Sequence, residues 1–204
     1  MDKYLNQTLM QASNLLSKGN INSAINIFDT LSYKYPKNGD VMHMKAFAYL
    51  QSNNIQKAIS SFKNALELSP KNSNILLDYC NFLNTIGKKK DAYIILSEKI
   101  NDKNDFRLYF LQGCIEMDQG KLDVAIESFK RVLSLNPNHK DAAFNIGYLY
   151  YNKSNFDLSE KVFKAYLKTF GDDSEVHRYL YEIYKITNKL EESLQVISKL
   201  CESD

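Results

Sequence analysis

Six small residues recur along this chain at a nearly constant interval: Ala24, Ala58, Ala92, Ala125, Ser159 and Ser193, separated by 34, 34, 33, 34 and 34 residues. Four residues after each stands a large apolar one: Phe28, Phe62, Leu96, Phe129, Phe163 and Ile197. A third strip, Pro36, Pro70 and Pro137, keeps the register, with Asn104 and Gly171 in the slots that lack proline. Such a period, filling the whole chain, predicts a solenoid in which each repeat buries its apolar face against its neighbours.

Within one period the apolar residues cycle at helical spacing, break at a polar turn and cycle again. The first unit shows Leu5, Leu9, Ala12 and Leu16, then Gly19-Asn20, then Ile21, Ala24, Ile25 and Phe28. The matching turns are Asn53-Asn54, Gly87-Lys88, Gly120-Lys121, Ser154-Asn155 and Asn188-Lys189. Gly and Asn accept the left-handed backbone that ends a helix, so these pairs read as C-terminal caps. Each period is then two antiparallel helices of about four turns. The small residue lets them approach closely, and the large one four positions on fills the gap on the same face.

These strips, matched together in successive units, resemble the tetratricopeptide repeat (TPR). The repeats fall at 5–38, 39–72, 73–105, 106–139, 140–173 and 174–204, one array over 1–204. The family's small eighth residue corresponds to Ala12, Ala46, Cys80, Gly113 and Gly147. Its large eleventh residue corresponds to Leu15, Tyr49, Leu83, Tyr150 and Tyr184. The resemblance implies an all-α, right-handed superhelical solenoid of antiparallel helix pairs. There are departures. The chain has no Trp, and the aromatic fourth slot holds Thr8, Met42, Leu76, Tyr109, Ala143 and His177. Tyr181 is large for slot eight, Glu116 replaces the usual Tyr, and Lys99 replaces a small core residue. With the third repeat one residue short, a change of superhelical pitch is expected at 99–105.

Composition narrows the class of work. With 26 basic and 24 acidic residues and a formal charge of +2, there is no electrostatic case for nucleic acid or an anionic membrane. Lys88-Lys89-Lys90 sits at a turn and reads as solvated surface. No apolar stretch is long enough to span a bilayer, so no membrane insertion is expected. Met1-Asp2-Lys3-Tyr4 lacks the apolar core of a signal peptide. The expected setting is cytoplasmic.

Nothing in the sequence assembles a catalytic centre. Cys80, Cys114 and Cys201 form no CxxC pair or zinc spacing and read as packed thiols. His43, His139 and His177 stand in separate repeats, and no phosphate-cradling glycine loop is present. The expectation is a non-enzyme with no metal and no cofactor.

Family resemblance assigns positions two, five, nine and twelve of each repeat to the lining of a concave groove. The candidate binding residues there are Phe47, Asn74, Asn81 and Asn84, followed by Arg107, Phe110, Phe144, Tyr148, Tyr151 and Arg178. Asn side chains can pair with the backbone of an extended peptide whatever its sequence. Large aromatics supply contact area at little rotamer cost. A carboxylate clamp of the kind that some TPR proteins use on chaperone C-termini is disfavoured. Its slots hold Leu9, Ser13, Met44, Asn74 and Asp78, none of them cationic.

The expected function is therefore a protein-interaction scaffold that takes a peptide or protein segment in its groove. One alternative is the TPR region of a larger enzyme, such as a protein glycosyltransferase or sulfotransferase. Another is a self-associating assembly protein. For the last, the final helix carries Leu190, Leu194, Ile197 and Leu200 on an apolar stripe, an edge to be covered by a homodimer partner, another protein or a continuing chain.

Overall fold

The computed structural model describes residues 2–100 and 104–202, with side chains described as far as Ser198. Among these residues all regular structure is helical. The helices are α1 (Lys3–Ser17), α2 (Ile21–Lys34), α3 (Gly39–Gln51), α4 (Ile55–Leu68), α5 (Ser73–Thr85) and α6 (Lys89–Lys99), then α7 (Phe106–Asp118), α8 (Leu122–Leu135), α9 (Lys140–Asn152), α10 (Phe156–Phe170), α11 (Ser174–Ile186) and α12 (Leu190–Glu202). They group into two compact units, α1 to α6 (unit 1) and α7 to α12 (unit 2). The stretch 99–105 spans both units and includes 101–103, outside the described residues, so the expected pitch change lies beyond what is described.

The turns fold as their chemistry requires. Every first helix ends at a residue with positive φ: Gly19, Asn53, Gly87, Gly120, Ser154 and Asn188. This left-handed residue reverses the chain within one turn. Ser154 holds φ 56° without the freedom of Gly or the local hydrogen bonding of Asn. The first helix of each later repeat starts on a side-chain cap: Asn38, Asn72, Asp105, His139 and Asp173 each accept a backbone N–H of the helix that follows. Each such cap contributes about 1 kcal/mol.

Packing within a pair follows the two strips. Ala24, Ala58, Ala92, Ala125 and Ser159 are fully buried, as are Phe28, Phe62, Leu96, Phe129 and Phe163. Each buried Phe contributes roughly 1.5–3 kcal/mol. Slot eight explains itself in unit 2. A Cβ on Gly147 would stand 2.5 Å from the Phe163 ring, and one on Gly113 2.9 Å from Phe129. The phenylalanine occupies the space that a side chain would need. Glu116, where Tyr is usual, is wholly buried. It accepts hydrogen bonds from Ser128 Oγ at 2.6 Å and Gln112 Nε2 at 2.9 Å, which satisfies its carboxylate in an apolar surround.

Pairs then stack. In unit 1, α2 lies on α3 and α4 on α5; in unit 2, α8 lies on α9 and α10 on α11. The faces they bury carry Val41 and Ala48, Ile75 and Phe82, Ala142 and Leu149, Val176 and Ile183. The equivalent face of α1 carries Gln7, Gln11 and Asn14, all exposed. Unit 1 thus begins on a polar face. The last member of the large-residue strip behaves differently: Ile197 is 37% exposed, with Leu190 at 69% and Leu194 at 64%.

Candidate functional site

On unit 1 the predicted lining is polar with one aromatic anchor. Phe47 is half-buried, edge-on to Phe62 at 5.4 Å and beside the His43 ring at 5.1 Å. His43 Nε2 lies 3.0 Å from Asp78 Oδ2, which ties α3 to α5. Asn74 and Asn81 are exposed on α5. Asn84, one stripe further along, is half-buried, and its Oδ1 is buried without a hydrogen-bond partner among the described residues.

On unit 2 the lining is aromatic. Phe144, Tyr148 and Tyr151 of α9 each meet the ring of Tyr179 on α11 edge-on, at centroid separations of 5.8, 5.8 and 5.2 Å. Phe163 stacks beneath Tyr179 at 5.4 Å. Edge-to-face pairs of this kind are worth about 0.5–1.5 kcal/mol beyond their burial. All four rings of this face are half-buried, so each keeps part of its surface accessible while its neighbours hold it in place. Burial pushes the Tyr179 hydroxyl upward in pKa, helped by Tyr148 and Glu175. A small pocket of about 180 Å³ opens between Tyr151, Tyr179, Glu175, Arg178 and Glu182.

Phe110 lies apart from that cluster. Its ring packs 4.6 Å from His139 and 5.6 Å from Phe129. His139 in turn caps α9, its Nδ1 accepting the Ala142 N–H at 3.3 Å. Arg107 is exposed but engaged: its Nε and a terminal nitrogen donate to Asp105 at 2.9 and 2.7 Å. That guanidinium holds the Asp105 carboxyl below its usual range. Arg178 is exposed beside Glu175 and Glu182.

The sequence reading passed over Tyr179, the residue that joins the aromatic face. It occupies position six of its repeat, and the same position in the third repeat is Asp78, the partner of His43. Position six reaches back to the preceding first helix in both units. Its equivalents Met10, Met44, Leu111 and Asn145 share no chemistry with it, so no compositional strip marks the slot.

The thiols are not set up for reaction. Burial pushes Cys80 up to about 12 and Cys114 to about 11, leaving little thiolate at neutral pH. Cys201 and Leu200 have side chains outside the described residues. Among the described residues no group of three His, Cys, Asp or Glu could hold a metal ion, and no helix is long and apolar enough to cross a membrane.

Solved structures share this fold at low identity. PilF of Pseudomonas aeruginosa is 18% identical over 96% of this chain and 89% of its own, with a TM-score of 0.71. MamA is 22% identical over 83% of this chain and 95% of its own, with a TM-score of 0.68. YrrB, a TPR protein with an unusual peptide-binding site, is 20% identical over 83% of this chain and 88% of its own, with a TM-score of 0.66. The comparison with curated proteins gave no match. Sequence models of the tetratricopeptide repeat match residues 9–77 and 110–174, and a second such model matches 49–110. With its strips, left-handed turns and stacked helix pairs, the chain belongs to the tetratricopeptide repeat family.

Proposed function

We propose that this chain is a non-catalytic scaffold, one array of six repeats in a cytoplasmic setting, which holds a peptide or protein segment on the faces of its first helices. The observation that carries the reading is the aromatic face of unit 2. Phe144, Tyr148 and Tyr151 are braced by Tyr179 yet only half-buried, the arrangement of a preorganised binding hot spot. On unit 1, Asn74, Asn81 and Asn84 supply amides for the backbone of an extended segment. YrrB's peptide-binding site belongs to a protein of the same fold and agrees with this class of work.

Affinity capture from the source cell, wild type against Tyr148→Ala with Tyr151→Ala, tests the reading. Hot-spot truncations typically cost about 2 kcal/mol or more each, so the double variant loses its partner while its helical signal persists. Unchanged capture by the double variant overturns the assignment.

A second reading rests on α12. Leu190 and Leu194 stand well exposed on one stripe with Ile197, where internal second helices carry a following helix. We propose that this edge associates with a second copy of the chain. Sedimentation of the wild type against Leu194→Glu with Ile197→Glu decides it. A wild type that stays monomeric at high concentration removes this reading.

A further inference from the structure

Unit 2 carries a cleft on a different stripe from its aromatic face. α9 sends Phe144, Tyr148 and Tyr151 to one side, while Ala143, Ile146 and Tyr150 floor a cavity of about 440 Å³ between the second helices α8 and α10. Its walls include Leu133, Leu158, Val162 and Phe170, and its charged lining residues are Lys130 and Lys161. Leu158 is 39% exposed. Lys161 is exposed and has no partner among the described residues. Nearby carboxylates are engaged: Glu127 accepts from Lys130 at 2.7 Å, and Asp173 accepts from the Tyr166 hydroxyl at 2.8 Å and Lys140 at 3.1 Å.

Unit 1 contains the repeat-equivalent cleft, which serves as an internal control. Lys63, Leu66 and Pro70 there occupy the positions of Lys130, Leu133 and Pro137. Asp91 stands where unit 2 has Leu158, and Ile94 where it has Lys161. That cleft, of about 630 Å³, is lined by Lys63 and Lys99 together with Glu67 and Asp91. Its charges balance. In unit 2 the substitutions at these slots remove the acids, move a lysine to the mouth and leave an apolar floor.

The geometry points to the α8–α10 cleft as a second docking site, for a segment of a partner protein that carries apolar side chains flanked by carboxylates. The apolar residues of such a segment fill the cavity over Ile146 and Val162, and its carboxylates meet Lys161, with Lys130, already paired to Glu127, beside it. Charge at a rim of this kind selects the partner and sets its register more than it adds affinity. The site is separate from the first-helix face, so it stands whether or not that face binds anything.

The probe is a fluorescent amphipathic peptide with leucine and phenylalanine on one face and glutamates beside them, compared by anisotropy with the same peptide carrying lysines. The acidic peptide binds the wild type, and the basic one is weaker by about tenfold or more. Leu158→Glu gives unit 2 the acid found at Asp91. It falls in the third helical position after the Asn155 cap, where Glu suits a helix start, so the fold survives. This variant and Lys161→Glu each weaken the acidic peptide by about tenfold or more. Ile94→Glu in the unit 1 cleft leaves the affinity unchanged. Tyr148→Ala with Tyr151→Ala also leaves it unchanged, which separates this site from the groove. Equal affinity for the two peptides overturns the proposal, as does failure of the acidic peptide to bind, or indifference to Leu158→Glu in a variant with a wild-type melting curve.

Discussion

In unit 1, position six of the last repeat is Asp78, which reaches back to His43 at 3.0 Å. In unit 2 the same position is Tyr179, which reaches back to three aromatic rings. One slot therefore joins neighbouring first helices by two different forces. The polar link leaves a wet face of amides around it. The aromatic link replaces amides with a cluster of half-buried rings. Slot eight differs as well: Ala12, Ala46 and Cys80 in unit 1, Gly113, Gly147 and the large Tyr181 in unit 2. Both solutions pack against a fully buried Phe, Phe28 and Phe62 behind Ala12 and Ala46, Phe129 and Phe163 behind Gly113 and Gly147.

The largest test of this contrast is to delete each link. Tyr179→Ala removes the ring that four others pack on, with an expected loss of about 3 kcal/mol in unit 2. Asp78→Ala removes a partly exposed pair and costs unit 1 less than about 1 kcal/mol. Thermal or denaturant melts of the two variants read the difference, and equal losses break the comparison.

Slot eight comes next. Gly147→Ala places a methyl against Phe163 and forces a buried ring to shift, an overpacking cost of about 1–3 kcal/mol. The reverse change, Ala46→Gly in unit 1, costs about 1 kcal/mol through backbone freedom. If both melts move alike, the close approach at Gly147 has no energetic meaning.

Acid supplies a smaller contrast. Asp173 and Glu160 are raised by burial, but hydrogen bonds from Tyr166 and Lys140, and from Lys164 and Lys189, leave both below their ordinary values of 3.8 and 4.5. A lowered folded value contributes stability that is whole above the ordinary value and lost as pH falls through the lowered one. Among the described residues of unit 1 the carboxyl lowered by hydrogen bonding is Asp2, which is fully exposed. Amide exchange measured below about pH 4.5 should therefore loosen α9 to α11 relative to α3 to α5. Uniform loosening contradicts the assignment.

The smallest effect concerns the turns. Ser154→Gly relieves a left-handed serine and raises stability by about 1 kcal/mol. Gly120→Ala, at the same turn of the preceding repeat, lowers it by a similar amount. A stabilised Gly120→Ala variant argues against the turn geometry.

Much of the fold could be read from the chain, because each turn announced itself locally. All six polar pairs coincide with a positive φ, including Ser154-Asn155, where neither Gly nor Asn holds that angle. The Phe strip was legible for the same reason, since its burial depends on a neighbour twelve to sixteen residues away. The site was harder. Tyr179 acts on residues 28 to 35 positions earlier, and only folding brings them together. Arg107 looked like a groove cation, yet Asp105, two residues before it, engages its guanidinium. The buried Glu116 had no rationale until Ser128 came beside it.

The polar opening face of α1 has a consequence for how the chain is made. Gln7, Gln11 and Asn14 let the first helix pair meet water as soon as it leaves the ribosome, with no later segment needed on that side. The trailing side is the opposite. α2 awaits α3, and α4 awaits α5, to cover its apolar stripe. Translation proceeds at about 5–20 residues per second, so each completed pair holds a sticky flank for some seconds before the next first helix arrives. A pause before the next first helix has emerged prolongs that exposure. Codon choice along this gene therefore bears on yield, even where it leaves the protein unaltered.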